Sequence, residues 1–291
     1  MKKKIFAAMT MAAVLLAACS GSAAPETAAA PETTAAPETT AAPETKAEEK
    51  QVAGEETELY VFAAASMTET LDQIKEKYEA ANPGIVIVPT YDSSGTLLKQ
   101  IQEGADCDLF VSAAPKQMNA LEEAGSLAEG SRIDLLENKV TLAVPEGNPK
   151  GIESFDQLSE LLKSGDVFLC MGNSDVPVGQ YTQKIFAFYE LNEEELAKAG
   201  VLTYGSNVKE VTTQVKESSV DCGIIYATDA FSAGLETVDS ATKEMCGQVI
   251  YPASVLKDSK NAGAAQAFLD YLTGSEASEI FESVGFTPLS K

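Results

Sequence analysis

From Glu58 onward, short apolar runs alternate with helical patterns, and this alternation constrains the fold more than any other feature of the chain. Helical spacing lies between the runs, as at Leu71, Ile74 and Tyr78. Strands that alternate with helices predict an α/β fold with largely parallel sheets, in which ligands bind at the carboxyl ends of the strands. The runs with the character of buried strands are residues 59–64, 85–89, 109–112, 140–144, 167–171 and 222–226.

Residues 1–19 have the pattern of a lipoprotein signal peptide. Lysines at positions 2–4 precede an apolar run over residues 5–18, which is too short to span a bilayer. Leu16-Ala17-Ala18-Cys19 is similar to a bacterial lipobox, in which the cysteine receives a lipid and becomes the new N-terminus after cleavage. We therefore expect an extracytoplasmic protein that is lipid-anchored to the cell membrane through Cys19. An ordinary thiol in an ordinary secretory signal is the alternative for this cysteine.

Residues 20–57 are dominated by small and polar residues. Pro-Glu-Thr recurs at Pro25, Pro31, Pro37 and Pro43 with a period of six residues. Such a segment has almost nothing to bury, so it predicts an extended, disordered tether rather than a packed repeat. The folded part then covers residues 58–291, which is enough chain for one large domain or for two lobes with their own cores.

Charge and composition exclude several classes of function. The net charge of −23 argues against nucleic acid as a partner, because both molecules are negative. The chain contains no histidine, which excludes a Ser-His-Asp triad and disfavours a zinc site. The four cysteines after the signal form no Cys-x-x-Cys pair; we expect small buried core residues, although an extracytoplasmic location also permits a disulfide. These are Cys107, Cys170, Cys222 and Cys246.

Two stretches combine an apolar strand with a serine-bearing helix start, at residues 62–69 and 90–96. Each junction aims unpaired backbone N–H groups and a hydroxyl at one point, an arrangement that suits an anion. Because both junctions follow neighbouring strands, their donors can converge on one ligand. From the residues alone, helix capping is the alternative: Ser66-x-x-Glu69 fits a capping box, and Ser94-Gly95 fits turn chemistry.

Several separated motifs, taken in order and spacing, resemble the molybdate-binding proteins of bacterial ABC importers. The motifs are residues 62–66, 91–96, 108–112, 176–179, 223–230, 251–252 and 281–286. The resemblance spans nearly all of residues 58–291 and implies a two-lobe fold of the type II periplasmic-binding-protein class, with mostly parallel sheets and two crossover strands. It implies that residues 58–142 plus 251–291 form lobe 1 and that residues 143–250 form lobe 2. The crossovers would fall near residues 140–145 and 249–255.

The resemblance also implies a set of anion contacts. Hydroxyl donors would come from Ser66 and Ser94 on lobe 1 and from Tyr226 on lobe 2. Backbone N–H donors would come from the two serines, from Val178 and from Val208. At Val178 this chain departs from the alanine that such proteins often have before the glycine, a change that a backbone donor tolerates. We expect Asp92, beside these donors, to face solvent, because a carboxylate that points inward would repel a dianion.

These donors suit a fully ionised tetrahedral oxyanion, which offers only acceptors. Each charge-assisted hydrogen bond contributes roughly 1.5–3 kcal/mol, whereas a protonated phosphate would need an acceptor for its own hydrogen. The resemblance therefore implies a monomeric binding protein, not an enzyme, that captures molybdate, and tungstate as well, and delivers it to the membrane subunits of an ABC importer. It implies no cofactor, and molybdenum would be held only through its oxygens.

Three other functions stay open on the sequence. The same kind of trap could bind sulfate or phosphate. Two Ser-x-x-Lys matches, Ser206-x-x-Lys209 and Ser254-x-x-Lys257, could indicate a serine activated by lysine, although the companion motifs Ser-Asp-Asn and Lys-Thr-Gly are absent from the sequence. A tethered surface lipoprotein could also bind another protein or a peptide, but peptide-binding relatives need a long apolar cleft and this chain is short for that.

Overall fold

The structure, a computed structural model, describes residues 56–289. The predicted signal peptide, the lipidation site Cys19 and nearly all of the predicted tether lie outside these residues. Within them the strands form two sheets, and helices fill the connections between the strands. The predicted α/β fold class is confirmed.

The first sheet is built from both ends of the described chain. In spatial order its strands are β11 (Thr287–Pro288), β4 (Ile133–Asn138), β10 (Val249–Val255), β3 (Leu109–Val111), β1 (Thr57–Ala64) and β2 (Ile85–Asp92). The helices that connect these strands are α1 (Thr68–Ala81), α2 (Ser94–Gln102), α3 (Pro115–Glu123), α10 (Ala262–Leu272) and α11 (Ser275–Ser283).

The second sheet is built from the middle of the chain. In spatial order its strands are β7 (Leu202–Gly205), β6 (Leu169–Gly172), β8 (Cys222–Tyr226), β5 (Val140–Val144) and β9 (Glu236–Ser240). The helices of this half are α4 (Phe155–Ser164), α5 (Pro177–Phe188), α6 (Glu193–Lys198), α7 (Val208–Lys216), α8 (Ala227–Ala233) and α9 (Lys243–Cys246).

Both sheets are mixed rather than mostly parallel, which corrects one detail of the prediction. Among the described residues, four strand pairs are parallel and five are antiparallel. Two pairs of neighbouring strands that helices join, β1 with β2 and β6 with β7, are parallel, because the helical crossover returns the chain to the same end of the sheet. The antiparallel pairs all involve β4, β5 or β10, the strands next to the two passages between the sheets.

The chain passes between the sheets a few residues away from the predicted lobe boundaries. Only Lys139 separates β4 in the first sheet from β5 in the second. Residues 140–142, which the prediction assigned to lobe 1, therefore pair within the second sheet. On the return, β10 pairs with the first sheet from Val249 onward, so residues 249–250 belong with that sheet rather than with lobe 2. The apolar runs were recognised, but an apolar run does not reveal which of two sheets it pairs with.

The four cysteines lie in the core, and their thiols are free. Burial raises the pKa of the Cys107 thiol to about 12, so this thiol stays protonated and unreactive at neutral pH. The interpretation of these residues as small core side chains agrees with the structure. No helix within residues 56–289 is long and apolar enough to cross a membrane.

Candidate functional site

A small cavity lies where strand ends of the first sheet face helix starts of the second half. Its volume is about 10 Å³, far below the roughly 300–1,000 Å³ of pockets for drug-sized molecules, so it suits a small inorganic ion better than an organic ligand. The structure brings all of the predicted contact residues to this one cavity: Ser66, Ser94, Val178, Val208 and Tyr226.

Ser66 reaches the cavity through a short 3-10 turn, Ala65–Met67, between β1 and α1. Because α1 begins at Thr68 with Met67 at its N-cap, the Ser66 hydroxyl does not cap the helix. It lies instead 2.8 Å from the Tyr251 hydroxyl, and Glu69 is engaged elsewhere. The capping-box interpretation of Ser66-x-x-Glu69 is therefore wrong, since both side chains make tertiary contacts.

Ser94 is the first residue of α2 and is fully buried. The preceding Ser93 supplies the cap by accepting a hydrogen bond from the Thr96 amide (3.1 Å). Ser94 therefore does not cap α2, and its hydroxyl oxygen accepts a hydrogen bond from the Ala113 amide (2.9 Å). This bond uses one of the two lone pairs of the oxygen, and the hydroxyl hydrogen remains available for a ligand.

Tyr226 ends β8 and is only 1% exposed. Within residues 56–289, its hydroxyl has no hydrogen-bond partner, although a buried hydroxyl normally has one. Its ring packs edge-on against Tyr251 and Tyr181. Burial, with these two tyrosines nearby, raises the pKa of Tyr226 well above its ordinary value, so the hydroxyl keeps its hydrogen and can donate it.

Val178 and Val208 bring two helix starts to the cavity. Amides in the first turn of a helix have no acceptor within the helix. Pro177 occupies the first position of α5 and has no N–H, so Val178 carries the first amide that this helix can offer. Val208 begins α7 directly after Asn207, whose side chain caps the helix by accepting from the Glu210 amide (3.1 Å). Both valine side chains are buried, which leaves their backbones as the polar groups at the wall.

The two halves of the molecule touch directly beside the cavity at Gly95. A Cβ atom on Gly95, in α2, would lie 2.1 Å from the backbone oxygen of Asp175, which precedes α5. No side chain fits between these backbones, so a glycine is required for this approach.

A second group of contacts between the halves carries full charges, and we call it the charged rim: Glu69, Lys99, Asp175, Lys209 and Asp229. The Lys209 ammonium lies 2.7 Å from a Glu69 oxygen across the two halves and 3.0 Å from an Asp229 oxygen within its own half. Lys99 and Asp175 pair across the halves at 2.5 Å, with both side chains more than half exposed.

Asp229 and Lys209 are coupled by burial. Burial raises the pKa of the Asp229 carboxyl to about 6, although Lys209 acts to lower it. Burial alone would lower the pKa of Lys209, but Asp229 and Glu69 outweigh it, and the net shift is upward. No sequence pattern drew attention to this ion pair: Lys209 stood out only in the Ser-x-x-Lys match, and Asp229 only inside the 223–230 motif.

Asp92 does not face solvent as expected. It is half-buried and lines the cavity. Its Oδ1 accepts a hydrogen bond from the Ser93 amide (2.6 Å), and the Asn207 side chain approaches the same oxygen at 3.5 Å. The next residue's amide holds the carboxylate in the wall, a local contact that the strand pattern did not reveal.

The structure disfavours both Ser-x-x-Lys pairs as catalytic groups. A lysine that activates serine needs a lowered pKa, whereas the pKa of Lys209 is raised by its two carboxylate partners. Ser254 is fully buried, and its hydroxyl pairs with the Ser131 hydroxyl at 2.8 Å.

The family model described as bacterial extracellular solute-binding protein matches residues 59–287. The chain belongs to this family. The description of the family is that of a solute-binding protein, not of an enzyme. The match covers the strands, the helix starts and the cavity described above.

Individual relatives and solved structures extend this result. The chain is 34% identical to YvgL of Bacillus subtilis (strain 168), which is named as an ABC transporter substrate-binding lipoprotein, over 79% of this chain and 86% of the relative. It is 33% identical to the molybdate-binding protein ModA of Haemophilus influenzae, over 78% and 89%. The periplasmic molybdate-binding protein of Azotobacter vinelandii has a similar fold, with a TM-score of 0.68 at 20% identity over 79% and 98%. The predicted resemblance to molybdate-binding proteins is confirmed.

Proposed function

We propose that this solute-binding protein captures molybdate, and also tungstate, and delivers it to the membrane subunits of an ABC importer. The observation that carries the proposal is the cavity itself: the hydroxyl-bearing residues Ser66, Ser94 and Tyr226 and two helix starts, from both halves, line one small space. Within the described residues, no lysine or arginine lines it. Donors of this kind satisfy an anion that has only acceptors, and each charge-assisted bond contributes roughly 1.5–3 kcal/mol.

The two sheets with their helices would act as the two lobes of a trap. Lys139 and residues 241–248 are the two passages between the sheets, and rotation about them would open the cavity. The Gly95 contact and the ion pairs of the charged rim span the halves, which supports reading this structure as the closed state. Ligand binding would favour closure, and the membrane subunits would recognise the closed form.

Hydrogen phosphate is the second candidate ligand, because one observation favours it. The Asp92 carboxylate lines the cavity and could accept the hydrogen that such an anion carries. Its Oδ1 is already occupied by the Ser93 amide, and its negative charge repels every dianion equally. Donors outnumber this one acceptor at the wall, so we favour molybdate.

Lipid attachment at Cys19 and a tether over residues 20–57 would hold this monomeric trap at the outer face of the membrane, near its transporter. The lipobox pattern and the lipoprotein name of the relative YvgL support this part of the proposal. Labelling of growing cells with a lipid precursor should mark the wild-type chain and not Cys19→Ala. Equal labelling of both would reject lipidation at this residue.

Titration calorimetry of the full chain against molybdate, tungstate, sulfate and phosphate tests the ligand assignment. We expect molybdate and tungstate to bind much more tightly than sulfate, because the larger anions reach donors on both halves at once. Phosphate should bind more weakly than molybdate, because donors outnumber the Asp92 carboxylate, the one acidic side chain described for the wall. Tighter binding of sulfate or phosphate than of molybdate would reject the proposal.

A further inference from the structure

A buried chain of hydrogen bonds leads from the cavity to the strands at the passages between the sheets. The Ser66 hydroxyl lies 2.8 Å from the Tyr251 hydroxyl on β10. The Asn138 amide, at the end of β4, donates to the Tyr251 oxygen (3.2 Å) and to the Thr228 hydroxyl (2.9 Å) at the start of α8. All four side chains are at least nine-tenths buried. The chain therefore joins both halves of the molecule through residues far apart in the sequence.

The direction of each bond follows from the chemistry of Asn138. Its Oδ1 accepts from the Lys139 amide at 2.7 Å, so the amide cannot flip without setting two donors against each other. Its two N–H hydrogens must therefore point to Thr228 and to Tyr251. Because the Tyr251 oxygen receives one of them, the Tyr251 hydrogen is free for the Ser66 oxygen.

The same logic fixes the hydrogen of Ser66. A hydroxyl has one hydrogen to donate, and the Ser66 oxygen already accepts from Tyr251. The Ser66 hydrogen is therefore available to the cavity. The Ser94 hydrogen is available in the same way, because the Ser94 oxygen accepts from the Ala113 amide. Each serine then has its hydrogen to present to a ligand, while one lone pair of its oxygen is already engaged.

We propose that Asn138 and Tyr251 are positioning residues that hold Ser66 as a hydrogen-bond donor and thereby make the cavity select oxyanions without a hydrogen. The inference rests on the proposed function and adds the source of its selectivity. Neither residue is among those that line the cavity. An anion with its own hydrogen meets a donor at Ser66 and loses a hydrogen bond there, whereas a fully ionised anion does not.

The substitution Tyr251→Phe removes the hydroxyl that orients Ser66, so the serine hydroxyl can then rotate and accept a hydrogen from a ligand. Affinities for molybdate, sulfate and phosphate are measured on the full chain near neutral pH, with weak ligands measured by competition against molybdate. We expect molybdate to bind about 3- to 10-fold more weakly. The ratio of the phosphate Kd to the molybdate Kd should fall about tenfold, while the sulfate-to-molybdate ratio stays unchanged, because sulfate carries no hydrogen.

The ratio of the sulfate Kd to the molybdate Kd distinguishes two explanations. Selection against a ligand hydrogen leaves this ratio unchanged, whereas a general loosening of the cavity changes it. A purely structural role of Tyr251 would change the sulfate and phosphate ratios together, and that result would overturn the inference. Tyr181→Phe is the matched control, since it removes a buried tyrosine hydroxyl that lies 3.5 Å from the Gln248 carbonyl and outside the chain of bonds. Neither ratio should change in this control.

Asn138→Asp gives an independent test that keeps the side-chain shape. A carboxylate in place of the amide N–H groups accepts from Tyr251, so the Tyr251 oxygen in turn accepts from Ser66 and turns its hydrogen away from the cavity. The added charge weakens molybdate and sulfate alike, but the phosphate ratio should again fall. A wild-type chain that does not bind molybdate rejects the proposed function and this inference together. If the wild type binds molybdate and both variants keep its ratio of the phosphate Kd to the molybdate Kd, only this inference is rejected.

Discussion

The cavity and the charged rim lie side by side between the same two halves, yet they use opposite kinds of polar group. The cavity holds neutral donors such as Ser94 and Tyr226, whereas the rim pairs full charges such as Lys209 with Glu69. A neutral hydroxyl costs far less to leave unpartnered than a buried cation does. The cavity can therefore release its ligand without leaving a buried, unpaired charge, and when the halves separate the buried Asp229 keeps its Lys209 partner within its own half. The difference predicts that cavity residues govern affinity and rim residues govern stability and closure.

The largest effect on this comparison should come from Gly95→Ala, which blocks the approach of the halves without changing any residue of the cavity wall or of the charged rim. The new Cβ would meet the Asp175 backbone oxygen at 2.1 Å, so the closed state becomes inaccessible. We expect molybdate affinity to fall at least about 100-fold, while alanine stabilises α2 itself by roughly 0.5–1 kcal/mol. Calorimetry and chemical unfolding measure the two quantities.

The matched control is Gly263→Ala in α10, where a Cβ meets nothing within 4 Å. This variant should bind molybdate like the wild type. Full affinity in Gly95→Ala would show that the halves need not close as tightly as they do here.

Next in size are the donors of the cavity. Ser94→Ala and Tyr226→Phe should each weaken molybdate binding by roughly 1–3 kcal/mol, because each removes one bond to a charged ligand. The free energy of unfolding of the empty protein should change little in Tyr226→Phe, whose hydroxyl lacks a partner within the described residues. Ser254→Ala and Tyr181→Phe serve as buried controls outside the cavity. Unchanged affinity in both cavity variants would contradict the assignment of these donors.

Substitutions in the charged rim should change the stability of the protein more than its affinity for molybdate. Lys209→Met removes the partner of the buried Asp229 and should lower the free energy of unfolding by about 1–3 kcal/mol. Lys99→Met breaks a more exposed pair across the same halves and should cost less than about 1 kcal/mol. Urea unfolding of the two variants without ligand measures the difference. Equal losses of unfolding free energy in the two variants would mean that burial does not decide how much each ion pair contributes to stability.

The smallest effect is a pH dependence carried by Asp229. Its pKa in the folded protein is raised to about 6, against roughly 3.9 in an unfolded chain. Between these values the folded state binds the extra proton, so this group makes the protein less stable as pH rises from about 4 to 6. The variant Asp229→Asn cannot titrate at this position, so it does not lose stability in this way as the pH rises. Relative to the wild type, the variant should gain about 1–2 kcal/mol between pH 4.5 and pH 6.5. A stability difference that is constant with pH would contradict the raised pKa.

Local patterns predicted much of this molecule, and contacts between distant residues account for what they missed. Each predicted strand run is found in the structure, and the five predicted contact residues lie on one cavity because each follows a recognisable strand or helix boundary. Strands β4, β7, β9 and β11 were not predicted, since their runs are short or polar.

The bond between Ser66 and Tyr251 joins residues 185 positions apart, and no periodicity reports such a contact. Ser66-x-x-Glu69 illustrates the same limit. The pattern fits a local capping box, but both side chains bond to residues on other elements. Asp92 is the opposite case: a bond to the very next residue placed it in the wall against expectation.

A crystal structure of the full chain grown with molybdate tests the central claim most directly, because anomalous scattering locates molybdenum without assumptions about the ligand. We predict one molybdenum peak in the cavity, with its oxygens within about 2.5–3.2 Å of the Ser66, Ser94 and Tyr226 hydroxyls and of the Val178 and Val208 amides. A peak elsewhere, or a peak in the cavity with these hydroxyls turned away from the oxygens, would contradict the claim that neutral donors of two halves hold the ion.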